Sequence, residues 1–128
     1  MDIVYFSNRS GNTKRFVEKL GYDRTYSVEE LPFATREYVL FVPTYGGGKN
    51  DYAIPRPVAT FLNIKTNREL LRAVVGFGNT NFGKDYCKAA KLIAKKTDVP
   101  ILGMIEIFGT PEDVKTIRER LEIFNDTV

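Results

Sequence analysis

The chain has 128 residues, 43% hydrophobic and 27% charged, with a formal net charge of +3, which is the composition of one soluble globular domain with room for a single core. It contains no histidine and one cysteine, Cys87, so an internal disulfide, a zinc centre and a Ser-His-Asp or Cys-His arrangement all lack their material. Any chemistry is therefore expected to come from a bound cofactor, with the protein supplying shape and electrostatics.

In chain order, residues 2–6 (Asp2, Ile3, Val4, Tyr5, Phe6) form a β-branched and aromatic run that predicts a buried strand. The loop Ser7-Asn8-Arg9-Ser10-Gly11-Asn12-Thr13 follows, and then a helix over 11–20 with Phe16, Val17 and Leu20 on one face. Residues 24–28 read as a weak edge strand. Residues 38–42 (Tyr38, Val39, Leu40, Phe41, Val42) show no alternation, which points to a strand covered on both faces, as in a parallel sheet. Pro43-Thr44-Tyr45-Gly46-Gly47-Gly48 is a glycine-rich loop. A helix is expected over 57–63, with Pro57 in its first turn, and a helical turn over 67–72. Residues 73–77 are the next buried strand, feeding the loop Gly78-Asn79-Thr80-Asn81-Phe82-Gly83. A helix over 84–96 carries Tyr86, Ala90, Ile93 and Ala94 on one side, and the last strand covers 100–108. Thr110, Pro111, Glu112 and Asp113 make a strong helix start, and Val114, Ile117, Leu121 and Phe124 give the final helix its core face.

Strands alternating with helices in a chain this short predict one α/β domain over 1–128, a parallel sheet with helices on both faces. Ligands in such sheets bind beyond the carboxyl ends of the strands, where strand order reverses. The three loops 7–13, 43–48 and 78–83 each directly follow a buried-strand pattern, so they share one sheet edge, and that edge is the expected site.

The first loop offers hydroxyls, amides and backbone N–H groups at the positive end of a helix dipole, a seat for one phosphate. Its residues also suit a plain N-cap cluster, and both readings stand at this point. Gly78-x-x-x-x-Gly83-Lys84 is close to a nucleotide-binding P-loop, but Asp85 replaces the hydroxyl that would hold magnesium and would repel phosphate. The glycines from Gly76 do not complete a dinucleotide fingerprint either. Tyr45 offers a flat face for stacking on a ring or is a loop aromatic. The glycines after it allow a peptide to flip at little steric cost or make a tight turn. Asn79 and Asn81 can serve a heterocycle's edge with Phe82 as an apolar wall, or the three can simply build the turn. Cys87, near a lysine-bearing helix start, is read as a small buried apolar residue rather than a reactive thiol.

Lys84, Lys88, Lys91, Lys95 and Lys96 form either a solvated helix face or a patch that docks an acidic protein or steers an anionic ligand. The charge excess is small and no recognition motif appears, so no nucleic-acid partner is expected. No apolar run approaches the roughly 20 residues that span a bilayer, and residue 1 leads straight into a strand without an export signal. A cytoplasmic location, no membrane partner and a monomer when alone are the expectations.

Together these motifs resemble a known family. Residues 7–13 are similar to the phosphate loop of flavodoxins, which ends Gly-Asn-Thr. The segment 7–16, the loops 43–48 and 78–83, and Phe108-Gly109-Thr110-x-Glu112-Asp113-Val114 resemble NrdI, the small flavodoxin serving class Ib ribonucleotide reductase. The resemblance spans nearly the whole chain. It implies a flavodoxin-like three-layer sandwich, a five-stranded parallel sheet of order 2-1-3-4-5, and one non-covalent FMN. It also implies that reduced FMN, supplied with electrons by a reductase or redoxin donor, reacts with O2. The superoxide or peroxide so formed serves assembly of the dimanganese-tyrosyl radical cofactor in the reductase small subunit. By the same analogy Ser7, Asn8, Arg9, Ser10, Gly11, Asn12 and Thr13 hold the phosphate, Pro43 and Thr44 border the ring, and Tyr45 stacks on it. Gly46 and Gly47 carry a redox-linked peptide flip, while Gly78, Asn79, Asn81, Phe82 and Gly83 line the pyrimidine edge. Arg9 departs from the plain flavodoxin loop, either adding a charge to the phosphate or facing solvent. Two rival readings remain: a generic flavodoxin electron shuttle, and a flavin-free flavodoxin-shaped module that binds a phosphate or a protein.

Overall fold

The computed structural model describes residues 1–45 and 53–127, with the side chains of Phe82 and Lys84 outside that description. Strands β1 (Asp2–Tyr5), β2 (Thr25–Ser27), β3 (Tyr38–Pro43), β4 (Leu71–Gly78) and β5 (Ile101–Glu106) form one sheet in the order β2-β1-β3-β4-β5. Every pairing is parallel. Helices α1 (Asn12–Leu20), α2 (Arg56–Asn63), α3 (Lys65–Glu69), α4 (Lys88–Thr97) and α5 (Pro111–Thr127) connect or follow the strands.

The lack of alternation in β3 has a direct cause in the layers. Tyr38, Leu40 and Val42 point into one core with Val58, Phe61 and Leu62 of α2 and Ala89, Ala90 and Ile93 of α4. Val39 and Phe41 point into the other core, with Phe16, Val17 and Leu20 of α1 and Val114, Ile117 and Leu121 of α5. Both faces of the strand are thus apolar, as parallel sheets require. Edge-on packing of Phe16 against Phe77, centroids 5.2 Å apart, fastens α1 to β4 directly under the first loop.

Four expected boundaries shift. The first helix starts at Asn12, because Gly11 sits outside it at φ +70°, a left-handed conformation that suits glycine. The helical turn expected over 67–72 is α3 at Lys65–Glu69. Leu71 and Arg72 instead join β4, where Leu71 is buried and Arg72 pairs with Glu37 at 2.6 Å. The fourth helix starts at Lys88 rather than 84: residues Thr80–Asp85 form 3-10 turns broken at Gly83 (φ 57°, ψ −120°), and Cys87 takes φ 53°. Tyr86 therefore lies before α4 and not on its face. The last strand ends at Glu106, where Ile107 turns to φ 54°.

Between β1 and β3 the strand order reverses: the chain leaves β1 for β2 at one edge, then returns past β1 to build β3, β4 and β5 on the other side. The first two loops leave the carboxyl ends of these two strands, which puts them at the switch point.

Candidate functional site

The first loop builds its shape from its own side chains. The Asn8 carboxamide oxygen accepts from the Ser10 N–H at 3.1 Å and from the Ser10 hydroxyl, and the Gly11 N–H donates to the Asn8 carbonyl at 3.0 Å. The Ser7 hydroxyl accepts the Lys14 N–H at 3.2 Å, so it caps α1 across seven residues. Arg15, one turn into the helix, donates to the Ser10 carbonyl at 2.6 Å and to the Asn12 carboxamide oxygen at 2.8 Å. The cap-cluster reading is therefore real for Ser7, Asn8 and Ser10.

Thr13 is different. The residue is 2% exposed, and neither its N–H nor its hydroxyl takes a partner within the chain among the described residues. No buried side-chain oxygen among those residues is left unpartnered, so the hydroxyl opens to the cavity that Thr13 lines. Both donors belong to the first turn of α1, where helix N–H groups have no intrahelical acceptor. The Asn12 N–H meets only the Ser10 hydroxyl, at a long 3.4 Å. The loop thus presents uncommitted donors on the positive end of a helix, with the basic residues Arg9, Lys14 and Arg15 exposed around it. That donor set fits a phosphate monoester.

The three loops do converge. A cavity of about 180 Å³ is lined by Asn8, Ser10, Asn12 and Thr13 from the first, Pro43 and Thr44 from the second, and Gly78 and Asn79 from the third. Backbone bonds fix their relation: the Phe6 N–H donates to the Phe41 carbonyl and the Thr44 N–H to the Phe77 carbonyl, each at 3.1 Å. The Thr44 hydroxyl accepts the Ala89 N–H at 3.2 Å, tying the second loop to the start of α4. Asn79 caps the turn that follows, its carboxamide oxygen accepting the Asn81 N–H at 2.9 Å.

Other predicted residues do not line this cavity. Ser7 and Gly11 shape the loop from behind, and Arg9 points into solvent. Tyr45 is 38% exposed, with its ring edge-on to Phe6 at 6.1 Å. Asn81 and Gly83 are exposed on the 3-10 turns. Gly46, Gly47 and Gly48, and the side chain of Phe82, lie outside the described residues. Two lining residues, Phe77 and Ile107, were not read from the sequence. Phe77 looked like core, which it also is; Ile107 was hidden in an apolar run that reads as strand.

Cys87 is fully buried, and burial pushes its thiol up to about 11, against a smaller lowering by Tyr86. A thiol so raised is protonated and unreactive at neutral pH. Burial likewise raises the neighbouring Tyr86 hydroxyl to about 12. On α4, Lys91, Lys95 and Lys96 are exposed, while Lys88 pairs with Asp85 at 3.1 Å. Among the described residues no three His, Cys, Asp or Glu side chains gather to hold a metal, and no helix is long and apolar enough to cross a membrane. A larger cavity, about 260 Å³, lies at the opposite end of the sheet among Met1, Ile3, Tyr22, Leu121 and Phe124; it is mainly apolar and has no helix N-terminus.

The comparisons agree with this geometry. Residues 4–119 match the family model described as NrdI Flavodoxin like. Protein NrdI of Mycoplasmopsis pulmonis is 44% identical over 127 residues, covering 95% of this chain and 84% of that one. Protein NrdI of Brucella ovis is 49% identical over 125 residues, covering 95% and 93%. Among solved structures, the Streptococcus pneumonia TIGR4 flavodoxin superposes with a TM-score of 0.68 at 20% identity, over 99% of this chain and 98% of that chain. The two-electron reduced Megasphaera elsdenii flavodoxin gives 0.62 at 16%, over 99% and 100%. At those identities the structures speak for the fold, and the family rests on the sequence matches: the chain belongs to the NrdI flavodoxin-like family.

Proposed function

We propose that this chain binds one FMN across its three loops and acts as the activator of a class Ib ribonucleotide reductase small subunit. The observation that carries the reading is the pair of unpartnered Thr13 donors at the start of α1, inside a cavity that the second and third loops also line. Bound FMN, reduced by a reductase or redoxin donor, would supply the reaction with O2 whose superoxide or peroxide product serves dimanganese-tyrosyl radical assembly in the partner.

The residues' tasks follow from where they stand. Thr13, Asn12 and the Asn8 carboxamide would bind the phosphate through neutral donors, with the dipole of α1 favouring its charge. Ser7, Ser10 and Arg15 hold that loop in shape, so binding needs little reordering. Tyr45 would cover the ring on its exposed side and exclude water, and Asn79 and Asn81 would meet the heterocycle's edge. Gly46 and Gly47 are assigned the peptide flip from the sequence: a carbonyl turned inward would accept a hydrogen bond from a protonated N5 of the ring. The exposed lysines of α4 would dock an acidic face of the partner.

The test is a visible spectrum of the purified protein before and after adding FMN, followed by activation of the manganese-loaded small subunit with the reduced protein in air. Flavin uptake and radical formation that depends on this protein are expected. Uptake without activation would support the electron-shuttle reading, and no uptake would overturn the flavin function altogether.

A further inference from the structure

We infer that the turn after β5 is a fourth wall of the cofactor site, in which Ile107 packs on the carbon skeleton of the bound flavin. The inference rests on the FMN reading above. Ile107 lies at φ 54°, the left-handed region, where the branched Cβ crowds its own backbone and where glycine or asparagine would sit with less strain. Such strain persists only when the surroundings hold it, and it concentrates at working sites.

Here the hold can be traced. The Ile107 N–H donates to the Gly78 carbonyl at 2.7 Å, and the Gly109 N–H donates to the Glu106 carbonyl at 2.9 Å. The Thr80 hydroxyl donates to the Glu106 carboxylate at 2.6 Å. Two of these three bonds tie the turn to the 78–83 loop, the same loop that brings Asn79 to the cavity. The outcome is an aliphatic side chain, 43% exposed, lining a cavity whose first-loop wall is made of polar donors. An isoleucine can do nothing for a phosphate. It can cover carbon surface, and an occupant that reaches past the first loop would take Ile107 out of water.

The experiment uses apo protein, titrated with FMN by quenching of flavin fluorescence, with thermal melts recorded before FMN is added. Ile107→Gly relieves the left-handed strain and deletes the wall. Its FMN Kd should rise roughly five- to tenfold, the scale of losing part of a buried aliphatic contact, while the apo protein melts no lower than the parent. Ile107→Val keeps most of the wall and should bind within about twofold of the parent. A Gly variant that binds like the parent overturns the inference, and so does one whose affinity and apo melting temperature fall together, since that is a folding effect alone. A parent that takes up no FMN overturns the flavin reading and this inference with it, which separates the two failures.

Discussion

Replacing Thr13 with valine tests the phosphate seat at one atom. Valine keeps the shape and volume of threonine and exchanges the hydroxyl for a methyl. In the free protein no hydrogen bond within the chain ties that hydroxyl among the described residues, and it is no buried orphan because it opens to the cavity, so its removal breaks no bond. Threonine and valine have similar helix propensities, and a hydroxyl open to the cavity carries no orphan cost to relieve, so apo stability should stay within about 0.5 kcal/mol of the parent. With FMN a cost appears. A hydroxyl donating to a charged phosphate contributes about 1.5–3 kcal/mol, so the Kd of Thr13→Val should increase by roughly 10- to 150-fold. The Thr13 N–H survives the substitution, so some binding should remain. Thermal melts of the apo protein and a fluorescence titration with FMN read the two effects separately. Parent-like affinity in a stably folded Thr13→Val protein would refute the seat, because the hydroxyl that the first turn of α1 presents to the cavity would then have no ligand to serve.

Four further outcomes are expected. Tyr45→Ala should weaken FMN by about 1–2 kcal/mol, the scale of a stacking contact, measured in the same titration and with little change in melting temperature. Charge reversal at the exposed Lys91 and Lys95 should lower affinity for the reductase small subunit in a salt-dependent way, read by surface plasmon resonance at two ionic strengths. Cys87, its thiol raised to about 11, should resist a thiol reagent at pH 7 in the folded protein and react once denaturant exposes it; the thiolate fraction stays small until pH approaches that value. Asn67→Ala should cost about 3–5 kcal/mol in urea unfolding while leaving the FMN site intact. The buried Asn67 side chain accepts the Ala34 N–H at 2.8 Å and donates to the Pro32 and Phe61 carbonyls at 3.1 Å each; all three bonds would go, and of these groups the Phe61 carbonyl would keep the Ile64 N–H at 3.3 Å.

Some of this was legible in the sequence because the signal and the cause are the same. The unbroken apolar run of β3 exists because helices cover both faces of the sheet, so it announces a parallel sheet as directly as the structure does. Once the strands are parallel, loops that follow strands must share an edge, and that the starts of the loops after β1, β3 and β4 come together needs no further information. The late start of α4 was not legible. The lysine-rich spacing before it is helical, and what breaks the helix is backbone at Gly83 and Cys87, the second with a side chain that gives no warning of a left-handed φ. Leu71 and Arg72 favour helix locally and are drawn into β4 by pairing with Tyr38 and Glu37, a tertiary effect. Asn67 enters the sequence reading only as the start of a helical turn, and its role as a buried hydrogen-bond hub was not legible because its partners lie as far away as Pro32 in the sequence.

The first loop shows why two readings of one motif need not compete. Ser, Asn and Thr were offered either as helix caps or as phosphate ligands, and the structure divides the labour by residue. Ser7 and Asn8 spend their side-chain oxygens as acceptors, on the Lys14 N–H and on Ser10, while the Ser10 hydroxyl both donates to Asn8 and accepts the Asn12 N–H. Thr13, one turn deeper and buried, is left with donors only the cavity can satisfy. Capping therefore builds the rigid frame, and the frame is what aims the remaining donors at one point. The same logic runs along the far wall, where bonds from Gly78 and Thr80 hold the turn that aims Ile107. Polar groups satisfied inside the loops fix the geometry, and the donors left to the cavity are the ones the proposed ligand would meet.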